Sequence, residues 1–265
     1  MWAQVGTRGL LSQVASKVFF RPDSKDARTP SYLKPLCDFD SKSNAQKEQS
    51  TMVKATAKQL EKRKQFVKRF IQKTPLWWRQ NMHLVFDGVT LRYGERLGDK
   101  VSLWGGFTGD GVFALRLWTA TPKMKKEAWA QHIPQLKRAA AMSASSGGCK
   151  KFKMWHDNEK FIQLPKEYKT AGLTSINFPP NSRDLSPIET LWAKLRKDLI
   201  VKEFEDQRIG RIMSKKAFKQ RVAQLLNSYS IPGPGAKHSF LEGLVRGMPQ
   251  RLEKCKANKY GPWLM

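Results

Sequence analysis

The chain has 265 residues, 40% of them hydrophobic, and 49 Lys+Arg against 22 Asp+Glu give a formal net charge of +27. The apolar fraction and nine Trp supply material for a real core, which excludes a histone-like tail or a disordered basic linker. So large a basic excess calls for a polyanionic partner, most commonly nucleic acid; no run reaches the ~18 apolar residues of a membrane span and no lipidation motif occurs, so a membrane is not expected.

Residues 1–52 read as a basic N-terminal and linker segment. Arg8, Lys17 and Arg21 precede the first acid, Asp23, and Leu10, Leu11, Val14, Val18 and Phe19 recur near helical spacing. A mitochondrial transit peptide, the remnant of a helix-turn-helix unit around residues 6–19 and a plain amphipathic surface helix all fit that pattern. Residues 21–52 are rich in Ser, Asp, Lys and Pro without periodicity and read as a linker. Residues 53–79 carry nine Lys/Arg and one acid around an apolar stripe of Leu60, Phe66, Val67, Phe70 and Ile71. That composition predicts a basic amphipathic helix within a segment 53–82.

From residue 83 the texture changes. Short β-branched and aromatic runs at 83–91, 100–107 and 112–118, the last two separated by Gly109-Asp110-Gly111, predict three successive antiparallel strands. Met124, Trp129, Ile133 and Leu136 share one face of a predicted helix over 123–142. After a loop at 143–148, a strand at 152–156 runs into Asp157. A short helix at 161–168 and a strand at 173–178 ending in Pro179-Pro180 follow. Ile188, Leu191, Trp192, Leu195 and Leu199 mark a helix over 186–200. This is an α/β order. The three cysteines, Cys37, Cys149 and Cys255, are isolated and odd in number, so no disulfide framework is expected and an intracellular compartment is; the four histidines have no zinc-ligand spacing.

In a chain so short of acids, their positions are informative. Asp87 falls inside the first strand, where Asp is disfavoured, Asp157 ends a later strand, and Glu189 lies in the first turn of the long helix. Acids in core strands normally have a cation or metal as partner, and three converging carboxylates suit Mg2+ or Mn2+, two of which can drive an in-line phosphodiester displacement. Each acid also has a plain structural reading. Ser186, Pro187 and Glu189 fit N-cap, N1 and N3 of a capping box; Asp87-Gly88 fits a turn; Asp157-Asn158 fits a loop opening that hydrogen-bonds itself.

The residues around them decide between these readings. The run 177–192, with Pro179, Ser182, Asp184, Leu185, Pro187, Ile188, Glu189 and Trp192 in register, resembles the Trp-Pro-x-x-Ser-Pro-Asp-Leu-Asn-Pro-Ile-Glu-x-x-Trp signature of mariner-type (Tc/mariner superfamily) DDE transposases, whose Glu is the third catalytic acid. Trp155-His156-Asp157-Asn158 resembles the family's Gln-Asp-Asn segment, Leu84-Val85-Phe86-Asp87 its first catalytic strand, and Leu103-Trp104-Gly105 its Trp-Gly strand. Residues 247–251 resemble the Ser-Met-Pro-x-Arg segment that closes these proteins, and residues 62–67 the basic helix before the first catalytic strand. The resemblance covers residues ~58 to 260.

It implies an RNase H-like fold over 83–265, a mixed five-stranded sheet flanked by helices with a helical C-terminal extension. It also implies catalytic and metal-binding roles for Asp87, Asp157 and Glu189 with two Mg2+ or Mn2+ ions, and DNA as substrate. Activity is then cleavage at element ends followed by strand transfer. Lys62, Arg63, Lys64, Lys68, Arg69, Arg183, Lys194, Arg196 and Lys197 are the candidate contacts to DNA backbone. A homodimer is a candidate assembly, and a nuclear location is expected, with a mitochondrial one as the alternative.

Several departures bear on activity. Phe178, Arg183 and Ser186 replace Trp, Pro and Asn of the motif, and Glu159 and Ile162 replace the family's Ala and His after Asp157-Asn158. Thirty-one residues separate Asp157 from Glu189 and sixteen separate Asp87 from Trp104; the latter interval in the family holds a long loop that clamps the partner subunit. Only 82 residues precede the first catalytic strand, too few for the family's pair of helix-turn-helix units. The competing function is a decayed or domesticated relic that binds nucleic acid without catalysis; a structural RNA-binding protein of an organelle is the third reading.

Overall fold

The structure, a computed structural model, describes residues 55–93, 100–121, 123–144, 147 and 151–262. The segment 1–52, with its transit-peptide, helix-turn-helix and linker readings, lies outside these residues, as do Cys37 and Cys149.

Helix α1 (Ala57–Phe70) opens on a capping box. The Gln59 N–H donates to Thr56 Oγ1 at 3.3 Å and the Thr56 N–H to Gln59 Oε1 at 2.9 Å. Lys68 and Arg69 in its last turn complement the helix dipole. One basic helix over 53–79 was expected; the structure divides it, because Thr74 caps a new helix, α2 (Pro75–Asn81), with Pro75 in its first turn. The sheet is built from β1 (Leu84–Arg92), β2 (Lys100–Phe107), β3 (Phe113–Thr119), β4 (Phe152–His156) and β5 (Leu173–Asn177). Between β3 and β4 the expected single helix is two, α3 (Lys126–Ala130) and α4 (Ile133–Ala141), with Pro134 in the first turn of the second. A 3-10 turn (Lys160–Ile162) and α5 (Pro165–Ala171) connect β4 to β5. Next come α6 (Pro187–Arg208), α7 (Lys215–Ser228), α8 (Phe240–Arg246) and α9 (Met248–Ala257).

Strand order is β3-β2-β1-β4-β5, with β1, β2 and β3 antiparallel and β1, β4 and β5 parallel. The first and fourth strands are therefore neighbours at the centre, as the resemblance implied. Alternation along β1 sorts its side chains onto two cores. Val85, Val89 and Leu91 join the cluster that includes α1 and α6–α9, while Leu84 and Phe86 join the one under α3–α5. α1 belongs to the first core through Phe66, Val67 and Phe70, so it packs as part of the same unit as the sheet.

The register also explains why Asp87-Gly88 is strand and not turn. Asp87 pairs with Gly105 and Gly88 with Trp104 in an unbroken antiparallel ladder. A Cβ on Gly88 would lie 2.9 Å from the Trp104 ring, so glycine is the residue that lets the indole lie flat on the strand.

Candidate active site

Asp87 has the parity of Val85 and Val89 and so points to the α6 side of the sheet. On the parallel neighbour, Val85 pairs with Trp155; two residues further along each chain stand Asp87 and Asp157. Glu189 enters from above, at the third position of α6. Its position fits the predicted capping box, but Ser186, the N-cap, makes no side-chain capping bond. Glu189 is thus released from capping and its carboxylate lies 3.6 Å from the Arg183 guanidinium.

Electrostatics tie the three acids together. Burial, then the charges of Asp157 and Glu189, push Asp87 up to about 8. Burial, then Glu189 and Glu159, raise Asp157 to about 6, against the opposing pull of Arg183. Asp87 and Asp157 are thus carboxyls whose ionisation is opposed by burial and by neighbouring acids, and a cation beside them would relieve that opposition. That donor chemistry suits a hard divalent cation. Among the described residues, no three Asp, Glu, His or Cys side chains stand close enough to close on one ion as they are.

The surroundings are held by groups that periodicity did not single out. Trp192, one turn past Glu189, lies over Gly105, where a Cβ would come within 2.6 Å of its ring. Its indole N–H is buried, makes no hydrogen bond of ordinary geometry, and is near enough to Asp87 to oppose the rise in its pKa. His156, just before Asp157, is lowered to about 4 by burial and stays neutral. Its Nδ1 lies 2.7 Å from the Asp157 carbonyl and its Nε2 2.7 Å from Ser175 Oγ. The carbonyl can only accept, so the proton is on Nδ1 and Nε2 accepts from Ser175. His156 therefore positions the Asp157 backbone and does not titrate near neutrality. Asn158 donates to the Phe178 carbonyl at 2.7 Å, tying the end of β4 to the exit of β5.

Of the expected DNA contacts, Arg63 is corrected. It is 0% exposed, and its guanidinium bonds both oxygens of buried Asp184, at 2.9 and 2.6 Å, as well as Ser182 Oγ at 2.8 Å and the Tyr260 carbonyl at 2.6 Å. Ser182 and Asp184 of the motif are therefore a clamp on α1. Arg251 completes it by donating to the Asp184 carbonyl at 3.0 Å and to Thr190 Oγ1 at 2.8 Å, beside Glu189. The signal was legible for Arg63, which falls on the apolar stripe with Phe66, Val67 and Phe70; nothing local marks Arg251. Lys194 is also turned inward, to Asp198 at 2.9 Å and over the Tyr229 and Phe240 rings at 5.1 and 5.6 Å. Lys62, Lys68, Arg69, Arg183, Arg196 and Lys197 are exposed and Lys64 is partly so.

No protein-family model and no curated protein matches the sequence. Solved structures do. The Mos1 transposase catalytic domain with raltegravir and Mn is similar at a TM-score of 0.62 and 15% identity, over 80% of this chain and 98% of that one. The catalytic domain of Mos1 mariner transposase gives 0.62 and 15% over 79% and 98%. A pre-cleavage Mos1 transpososome gives 0.61 and 14% over 91% and 77%. The five-stranded mixed sheet and its flanking helices are the RNase H-like fold of the Mos1 mariner transposase catalytic domain.

Proposed function

We propose that this protein is a mariner-type DDE transposase core that cleaves DNA strands and transfers the freed 3′ end to target DNA. What supports the reading is the electrostatic coupling of Asp87, on the central strand, and Asp157, at the end of its parallel neighbour, to Glu189 in the first turn of α6, whose charge helps raise both Asp residues. The carboxylate oxygens of these three acids are the donors that would hold Mg2+ or Mn2+, two ions in this reading, and the metal would supply Lewis acidity for phosphodiester displacement. The chain's own part is to hold that charge in place. Trp192 and the β2 backbone wall off Asp87, His156 fixes the Asp157 backbone, and the Arg63–Asp184–Arg251 clamp fixes the loop that launches Glu189. Exposed Arg183, Arg196 and Lys197 offer contacts to DNA phosphates.

In the cleavage step, water attacks phosphorus and the 3′ oxygen leaves; in transfer, that 3′-hydroxyl attacks a target phosphodiester and the broken strand's 3′ oxygen leaves. A paired assembly of two chains and a nuclear location belong to the same proposal. One observation favours a second reading, a relic that binds DNA without cutting it: Glu189 is engaged by Arg183, which stands where the family motif has Pro.

Plasmid nicking separates the two. Metal-dependent nicking by the wild type that is lost in Asp87→Ala and Asp157→Ala supports the transposase. Salt-sensitive binding with no metal-dependent nicking supports the relic. Equal nicking by wild type and both variants removes the catalytic assignment.

A further inference from the structure

Two hollows lie on either side of the residues that follow β5, and they share a wall. One, of about 600 Å3, holds Asp157 and Glu159 with Lys123 and Lys160. The other, of about 670 Å3, runs between α1 and the edge strand β5; its lining includes Lys62, Arg69 and Lys153 and, among the described residues, no acid. Asn158, Pro179 and Pro180 line both. The hollow that holds Asp157 and the basic groove thus adjoin across a shared ridge that carries two prolines and the Asn158–Phe178 hydrogen bond.

Lys62, Gln65 and Arg69 stand at i, i+3 and i+7 on α1, one stripe of the helix with ~10 Å between the two cations along its axis. Lys153 comes from β4 at the groove floor, held by the Asn81 side chain and 5.8 Å over the Trp77 ring. Three cations facing one groove, with no carboxylate among its described lining residues, repel one another, and an anion lying between them relieves that repulsion. A row of cations beside polar strand-edge groups such as Ser175 and Asn177 has the chemistry of a phosphate backbone track.

We propose that this groove takes the DNA strand flanking the reacting phosphate. A strand engaged at Asp157 continues over Asn158, Pro179 and Pro180 and lays its phosphates on Lys62, Arg69 and Lys153. The inference rests on the acids being the phosphodiester site, but its test does not use cutting. Binding of a fluorescent 20-nucleotide single strand to the full chain is measured by anisotropy in EDTA, for Lys62→Gln/Arg69→Gln and for Lys166→Gln/Lys169→Gln on α5, both exposed. Each pair removes the same charge from one helix, and only the first lines the groove.

The first pair is expected to weaken binding at least tenfold and to flatten the slope of log K against log salt by about 1.4, the value for two released single-strand phosphate contacts. The second is expected to weaken it no more than about threefold. Equal weakening by both pairs, or none by the first, overturns the groove. A photoreactive p-benzoylphenylalanine at Gln65 gives an independent readout: it labels the strand if the groove is occupied, and tight binding without labelling also overturns the proposal. Because no divalent metal is present, a negative nicking result leaves this outcome standing on its own.

Discussion

Replacing Asp87 by Asn is expected to stabilise the metal-free protein at pH 8 while abolishing metal-dependent nicking. Burial and the charges of Asp157 and Glu189 raise Asp87 from its ordinary 3.8 to about 8. The folded state therefore holds a proton that the unfolded chain releases. This contribution to stability is full below about pH 4 and is lost as pH climbs through 8. At about 1.4 kcal/mol per pH unit, the interval sets a ceiling of roughly 5 kcal/mol for the cost of the charge at pH 8. Asp87 is only partly buried, so water screens some of that cost, and the amide that replaces the carboxylate loses some hydration of its own. A net gain of about 2 to 3 kcal/mol remains, or roughly 5 to 10 °C in Tm for a unit of this size. The assay is urea unfolding followed by Trp fluorescence, in EDTA, at pH 4 and pH 8. At pH 4 the two proteins should differ by less than about 1 kcal/mol, because wild-type Asp87 is already protonated when folded. Adding Mg2+ or Mn2+ at pH 8 should reverse the order, since an ion that binds only the folded wild type stabilises it by mass action. A variant less stable than the wild type at pH 8 in EDTA, or a gain equal at both pH values, would refute the reasoning.

The clamp and the wall of the site make further predictions. Arg63→Met leaves Asp184 buried without its cation and should cost about 3 to 5 kcal/mol in urea unfolding, with part of the loss recovered in Arg63→Met/Asp184→Leu. Gly105→Ala places a Cβ 2.6 Å from the Trp192 ring; the indole must move, costing about 1 to 3 kcal/mol and lowering metal-dependent nicking, both measurable on one preparation. Arg183→Ala removes an exposed ion pair and should change stability by less than about 0.5 kcal/mol. The same change removes a charge that holds Asp157 down, so the pH at which Mn2+ half-saturates the site should move upward in a titration at fixed metal.

Strand β2 and strand β4 stand where the sequence placed them, and α6 buries the Ile188, Leu191, Trp192, Leu195 and Leu199 stripe that predicted it. These elements were legible because their apolar periodicity is a local property that packing only reinforces. Boundaries set by caps were less so. The Thr74-Pro75 break inside the basic segment and the extension of α6 to Arg208 depend on hydrogen bonds and contacts that no window of hydrophobicity contains. Asp87, Asp157 and Glu189 were singled out by motif context, and Asp87 alone also by standing inside a strand, where Asp is disfavoured.

The sequence by itself determined the α/β order, the basic surplus that calls for a polyanion, and the three acids worth attention. Tertiary structure decided which charges are available to a ligand and which are spent inside. Arg63 and Lys62 are neighbours in a basic run and look alike in sequence, yet one is locked to Asp184 and the other faces the groove. Helical rotation separates them by about 100°, and only the packing of α1 on the sheet fixes which side is in. The raised pKa of Asp87 has the same origin: charges far apart in sequence acquire an energy only when folding places them together out of water.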